Sequence, residues 1–153
     1  MDSRSTVHAT LVIERELDAT PAEVFVAYAD AAVRSQWDCP NDAWVAEYVQ
    51  DFRVGGREHA SFGPPGGPMH VSEGFFLDIV QDRRIITAGT MHAERTPTSV
   101  TLCTIELEPS GAGTKLVLTD QSAFLDGIES HEQRRSGWGK ILDRLVKHLQ
   151  RAN

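Results

Sequence analysis

His131-Glu132-Gln133-Arg134-Arg135 opens like the zinc-protease pattern H-E-x-x-H, in which two histidines one helical turn apart hold a metal. The fifth place is Arg135, so that chemistry is excluded in this form. His131 keeps an interest of its own. It stands two helical turns before Trp138 on the same azimuth, in a first turn whose positive dipole end disfavours the imidazolium. A neutral histidine there could bind a polar group or act as a base; the plainer reading is a half-exposed residue beside a helix cap. His59, His70 and His92 fall on strand-like segments or their ends, where one β-bulge would invert their faces. A metal site would need three of them to converge, and nothing in the spacing requires it, so no metal and no cofactor is expected. No G-x-S-x-G elbow and no Walker A loop occurs, and Gly55-Gly56 reads as a tight turn rather than a phosphate cradle. No catalytic residue is assigned. Glu73, Asp78 and Asp120 lie on strands, where solvated surface is the default for a carboxylate. Cys39 and Cys103 match no zinc or redox spacing; Cys103 reads as a small buried hydrophobe, with no cationic neighbour evident to activate its thiol.

The elements that would position these groups are better marked. Ser130-His131-Glu132-Gln133 is a capping box. Beyond it Trp138, Ile141, Leu142, Leu145, Val146 and Leu149 form one apolar stripe of 3.6 period, while Lys140, Asp143, Arg144, Lys147, Gln150 and Arg151 face water. The spacing predicts a helix from Ser130 to about Ala152, roughly 30 Å long. Two glycines flank Trp138; each costs about 1 kcal/mol inside a helix, so Gly137 and Gly139 are expected to allow close backbone packing.

Before that helix the chain reads mostly as strands: Val7 to Leu17, Trp44 to Asp51, Arg57 to Phe62, His70 to Val80, Ile85 to Met91, Ser99 to Leu107 and Thr114 to Ser122. Thr20-Pro21-Ala22-Glu23 starts a short helix, and Asp30 caps a second that runs to about Gln36. Period-2 alternation puts Cys103, Ile105 and Leu107 on one side of their strand, and Leu116 with Leu118 on one side of the next. Short connections make the later strands antiparallel neighbours. The prediction is an α+β helix-grip fold: a curved antiparallel sheet wrapped round a long C-terminal helix, with two short helices after the first strand.

The chain has 153 residues, 41% apolar and 24% charged, which suits one globular domain spanning 1–153 with an ordered core over about 7–150. A formal net charge of -7 opposes non-specific binding to nucleic acid or anionic lipid, and the basic pairs Arg83-Arg84 and Arg134-Arg135 read as solvated faces. No apolar run is long enough to span a bilayer and the N-terminus lacks a signal peptide's apolar region, so a cytoplasmic protein is expected.

Several features together resemble the START-like (SRPBCC) superfamily, and more narrowly the homologues of the activator of the heat-shock-protein-90 ATPase. They are Thr20-Pro21-Ala22-Glu23-Val24-Phe25, Trp37 followed by Pro40, Phe52-Arg53-Val54-Gly55-Gly56-Arg57, Gly74, Gly113-Thr114-Lys115-Leu116 and Gly137-Trp138. The resemblance runs from about residue 10 to 150. It implies a START-like domain with a cavity between the sheet and the last helix. The helix would offer His131, Trp138, Ile141 and Leu142 to that cavity; Trp37 would stand at its rim. The strands would offer Phe62, His70, Phe76, Met91 and Cys103. The expected function is binding of a small apolar or aromatic molecule. Two alternatives are a cyclase- or hydratase-type enzyme in the same cavity and a chaperone-ATPase activator, and the macromolecular partners to test are a chaperone and a second copy of the chain.

Overall fold

The structure, a computed structural model, describes residues 4–150; the predicted helix end at Ala152 lies outside them. Seven strands and three helices follow the predicted order. Strand β1 (Thr6–Leu17) leads into α1 (Pro21–Ala29) and α2 (Ala31–Trp37). Then come β2 (Val45–Gln50), β3 (Arg57–Gly63), β4 (His70–Val80), β5 (Arg84–Ala93), β6 (Thr96–Ser110) and β7 (Gly113–Leu125), and last α3 (His131–His148). The sheet order is β1-β7-β6-β5-β4-β3-β2, antiparallel throughout. It is the helix-grip α+β architecture.

Local chemistry sets the helix starts. The Thr20 hydroxyl accepts from Glu23 N while Glu23 returns to Thr20 N, and Ser130 and Gln133 repeat the exchange at α3. Asp30 ends α1 and starts α2 at once, its carboxylate accepting from the Ala32 and Val33 amides. The strand ends depart from prediction at two hairpins. The predicted loop around Arg95-Thr96-Pro97 is a tighter turn at Glu94 (φ 56), and the turn predicted over 108–113 shrinks to Gly111 (φ 58) and Ala112, so β6 is longer at both ends. Two-residue hairpins with left-handed positions match strand twist and leave the flanking residues to pair.

The inward faces of β1, β6 and β7 supply Leu11, Ile13, Ile105, Leu107, Leu116 and Leu118, all buried. Leu142 and Leu145 of α3 close on them at 0% exposure; each contributes about 1.5–3 kcal/mol on burial. The helix therefore rests toward the β1 side of the sheet. Farther along, Gly74 and Gly89 face each other across β4 and β5. A Cβ on either would collide with the backbone of the opposite strand, so the strands approach there as only glycines permit. Space opens beneath that part of the sheet because the straight helix lies to one side of the curve.

Candidate functional site

That space is a cavity of about 470 Å³ bounded by β2 to β6, α1, α2 and one edge of α3. On α3 two adjacent stripes divide the work. Leu142 and Leu145 pack into the core, while Arg134, Gly137, Trp138 and Ile141, at i, i+3, i+4 and i+7, border the cavity. Gly137 does not serve close packing: a Cβ there would meet nothing within 4 Å, and one on Gly139 would meet only an Arg15 nitrogen at 3.7 Å.

Of the ten residues the sequence offered as lining, Phe62, His70, Phe76, Met91, Cys103, Trp138 and Ile141 border the cavity. Three do not. Trp37 is 1% exposed behind Tyr28, its ring edge-on to the tyrosine at 4.9 Å and its Nε1 donating to Ala27 O at 3.2 Å; Tyr28 takes the wall in its place. Leu142 is spent on the core. His131 is part-buried with an unpartnered Nε2, but Ile128, Glu129 and Gln133 form the wall at that end. The histidine parity is settled as well. His70 stacks with Phe62 and Trp44, centroids 5.4 and 5.5 Å away, whereas His59 meets Glu73 on an exposed position. Among the described residues no group of three His, Cys, Asp or Glu could hold a metal ion.

The walls also hold two buried ion clusters that the expected apolar lining did not include. In the first, Arg34 of α2 donates from Nε to Asp38 Oδ2 at 2.8 Å. Its Nη1 donates to Glu58 Oε2 at 2.6 Å and to Gln50 Oε1 at 3.0 Å. Its guanidinium sits 4.3 Å from the Tyr48 ring centroid. The Gln50 amide in turn donates to the Tyr28 and Ala29 carbonyls at the end of α1, and Tyr48 Oη donates to Asp38 O. The cluster thus ties both short helices to β2 and β3. Burial raises the Asp38 pKa against the opposing pull of Arg34, and the nearby carboxylates hold Arg34 charged well beyond its ordinary range.

In the second, Arg134 of α3 donates to Asp120 Oδ2 at 3.0 Å and with both arms of its fork to Glu129, at 2.6 and 2.9 Å. It also bonds Ser99, Thr101 and Ser122, and Trp138 Nε1 donates to the same Asp120 oxygen at 2.7 Å. The solvated reading of Arg134 and Asp120 is overturned: they are 8% and 1% exposed. The sequence carried a signal for both. Asp120 shares the parity of the buried Leu116 and Leu118, and Arg134 stands one turn before Trp138 on its stripe. Arg144 leaves the predicted water-facing side too, donating to the carbonyls of Gln36 and Trp37 at the end of α2 and of Cys39 just past it.

Burial raises the Tyr28, Tyr48 and Cys103 pKa values, with neighbouring carboxylates adding to it. In the folded chain these groups keep their protons to higher pH than in the unfolded chain. The unfolded chain therefore binds fewer protons in alkali, and stability falls as pH rises. Thermal unfolding is expected to shift down from about pH 8.5, where an unfolded thiol ionises, and more steeply above about pH 10 with the tyrosines. A melting temperature unchanged to about pH 11 would contradict this burial.

The sequence matches the model of the "Activator of Hsp90 ATPase homolog 1-like protein" family over residues 18–150. The chain belongs to that family. Solved structures share the fold over nearly its whole length. One from Rhizobium leguminosarum is 39% identical and superposes with a TM-score of 0.89, covering 97% of this chain and 99% of the other. A Rhizobium loti protein is 41% identical at a TM-score of 0.84, covering 95% and 99%. One from Chromobacterium violaceum is 25% identical at 0.83, covering 94% and 98%. No curated protein matches the sequence. Among the described residues no helix is long and apolar enough to cross a membrane.

Proposed function

We infer that this member of the Activator of Hsp90 ATPase homolog 1-like family is a binding module that holds a small apolar or aromatic molecule between its sheet and α3. The observation that carries the reading is the 470 Å³ cavity, a volume in the range of small-molecule sites. Its walls include Phe76, Ile85, Ile105, Trp138 and Ile141, together with the half-buried, mutually stacked rings of Trp44, Phe62 and His70. An acid–base enzyme in the same cavity is the second reading, and Asp38 favours it as an inward carboxyl of raised pKa. It ranks lower because Asp38 Oδ2 already accepts from Arg34.

Gly137 gives the test. It borders the cavity, and a side chain there points into open space. Gly137→Leu should fill that space while improving helix propensity by somewhat under about 1 kcal/mol, so the variant should melt no lower than the parent. A panel of lipids and aromatic compounds is expected to give thermal shifts and tryptophan fluorescence changes with the parent, weakened at least about tenfold in Gly137→Leu. No shift and no fluorescence change with any member of the panel would defeat the reading.

A further inference from the structure

Tyr28 stands apart among the cavity residues. It is 4% exposed and borders the cavity, yet its hydroxyl is buried with no hydrogen-bond partner among the protein atoms. The rest of the residue is fully engaged. The ring packs edge-on against Trp37, Arg34 lies 5.7 Å from its centroid, and its carbonyl accepts from Gln50. Only the hydroxyl is left over. A buried hydroxyl without a partner costs about 1–3 kcal/mol, and the cavity that Tyr28 borders is the open space from which a partner can reach it. Burial and the Asp38 carboxylate keep the phenol protonated, so it donates.

The charges nearby limit what can accept. Each buried arginine faces two carboxylates: Arg34 has Asp38 and Glu58, and Arg134 has Asp120 and Glu129. Neither guanidinium has charge left to offer an anion, and an anion beside Tyr28 would face Asp38 and Glu58 without a counterion. We propose that the cavity selects an uncharged molecule carrying an acceptor oxygen, a ketone or comparable carbonyl, which takes the Tyr28 hydroxyl, and that it rejects the corresponding carboxylate. This rests on the ligand-holding reading above and adds polarity and charge to it. The stacked rings of Trp44, Phe62 and His70 border the same cavity and suit the apolar body of such a molecule.

Three matched probes separate the elements of the proposal: acetonaphthone, ethylnaphthalene and naphthoate, titrated calorimetrically into the whole chain at neutral pH. The ketone is expected to bind about fivefold or more tighter than the hydrocarbon, and the carboxylate at least about tenfold weaker than the ketone. In Tyr28→Phe the ketone should fall to the level of the hydrocarbon, whose own binding stays unchanged. Tyr28→Phe should also melt at or above the parent temperature, because it removes an unpaired buried hydroxyl without changing the ring. A ketone advantage that is missing in the parent, or that persists in Tyr28→Phe, overturns the inference and leaves the binding module standing. Naphthoate bound as tightly as the ketone does the same. A destabilised Tyr28→Phe would show that the hydroxyl has a structural partner, and would also overturn it. Binding of none of the three by the parent chain removes both the inference and the reading beneath it.

Discussion

Arg34→Met is expected to cost about 3–5 kcal/mol of folding stability, a large share of what a domain of this size has. The loss does not come from a missing attraction alone. Methionine roughly replaces the volume of the stem, but Asp38 and Glu58 stay behind with side chains 3% and 9% exposed and no cation between them. Uncompensated carboxylates in that setting take up protons more readily than in the unfolded chain. In the variant the unfolded state therefore binds fewer protons at neutral pH, and stability is lost as pH rises through the folded-state values. The deficit should be widest near neutrality and narrow toward about pH 5. Urea unfolding of parent and variant at the two pH values tests both parts. A loss below about 1 kcal/mol, or one that does not change with pH, would mean that the pair is solvated and contributes little.

The same cluster marks the boundary of what the sequence conveys. Capping boxes at Thr20 and Ser130, the stripe of α3 and the alternation of β6 and β7 are local patterns, read within a dozen residues, and the structure reproduces them. Their order supports the helix-grip architecture because hairpins and short connections leave few ways to arrange them. The ion clusters are different in kind. Arg34 meets Glu58 across 24 residues, and Arg134 meets Ser99 across 35. No periodicity links residues on different elements. A lone charge is also assigned to water by default, since burial of unpaired charge is costly. The alternation of β7 placed Asp120 inward with Leu116 and Leu118; only the general rule for carboxylates argued otherwise. Two inward strand positions of opposite character, one apolar run ending in a carboxylate, are therefore a readable sign of a buried polar wall.

The cavity lining shows a related limit. The stripe of α3 was legible, but not its division into a core-facing edge at Leu142 and Leu145 and a cavity-facing edge at Arg134, Gly137, Trp138 and Ile141. That division depends on where the helix sits across the sheet. A shift of one strand spacing would exchange the two edges. The position is fixed by contacts at both ends: Arg144 on the carbonyls at the end of α2, and Arg134 with Trp138 on Asp120. Gly137 was misread for the same reason, since a glycine facing empty space and a glycine facing a backbone look alike in a sequence.

Arg134→Met should therefore act on the position of α3 as much as on stability. Asp120, 1% exposed, would keep only Ser122 and the indole of Trp138 as partners, and the expected loss is again about 3–5 kcal/mol. It should not be spread evenly along the helix. Leu142 and Leu145, fully buried, continue to hold the C-terminal half, whereas the first two turns lose their anchor to β6, β7 and Glu129. Amide hydrogen exchange should speed up by about two orders of magnitude over residues 134–138 and by clearly less over 142–148, in a variant that remains folded. Those first turns carry one wall of the cavity, so any probe held by the parent should dissociate faster from the variant, with the change in koff rather than kon. Arg134→Lys keeps the charge but cannot span Asp120 and Glu129 with one planar fork, and should fall between the two. Equal acceleration of exchange along the whole helix would mean that Arg134 stabilises the fold without positioning α3, and the wall of the cavity would then depend on Leu142 and Leu145 alone.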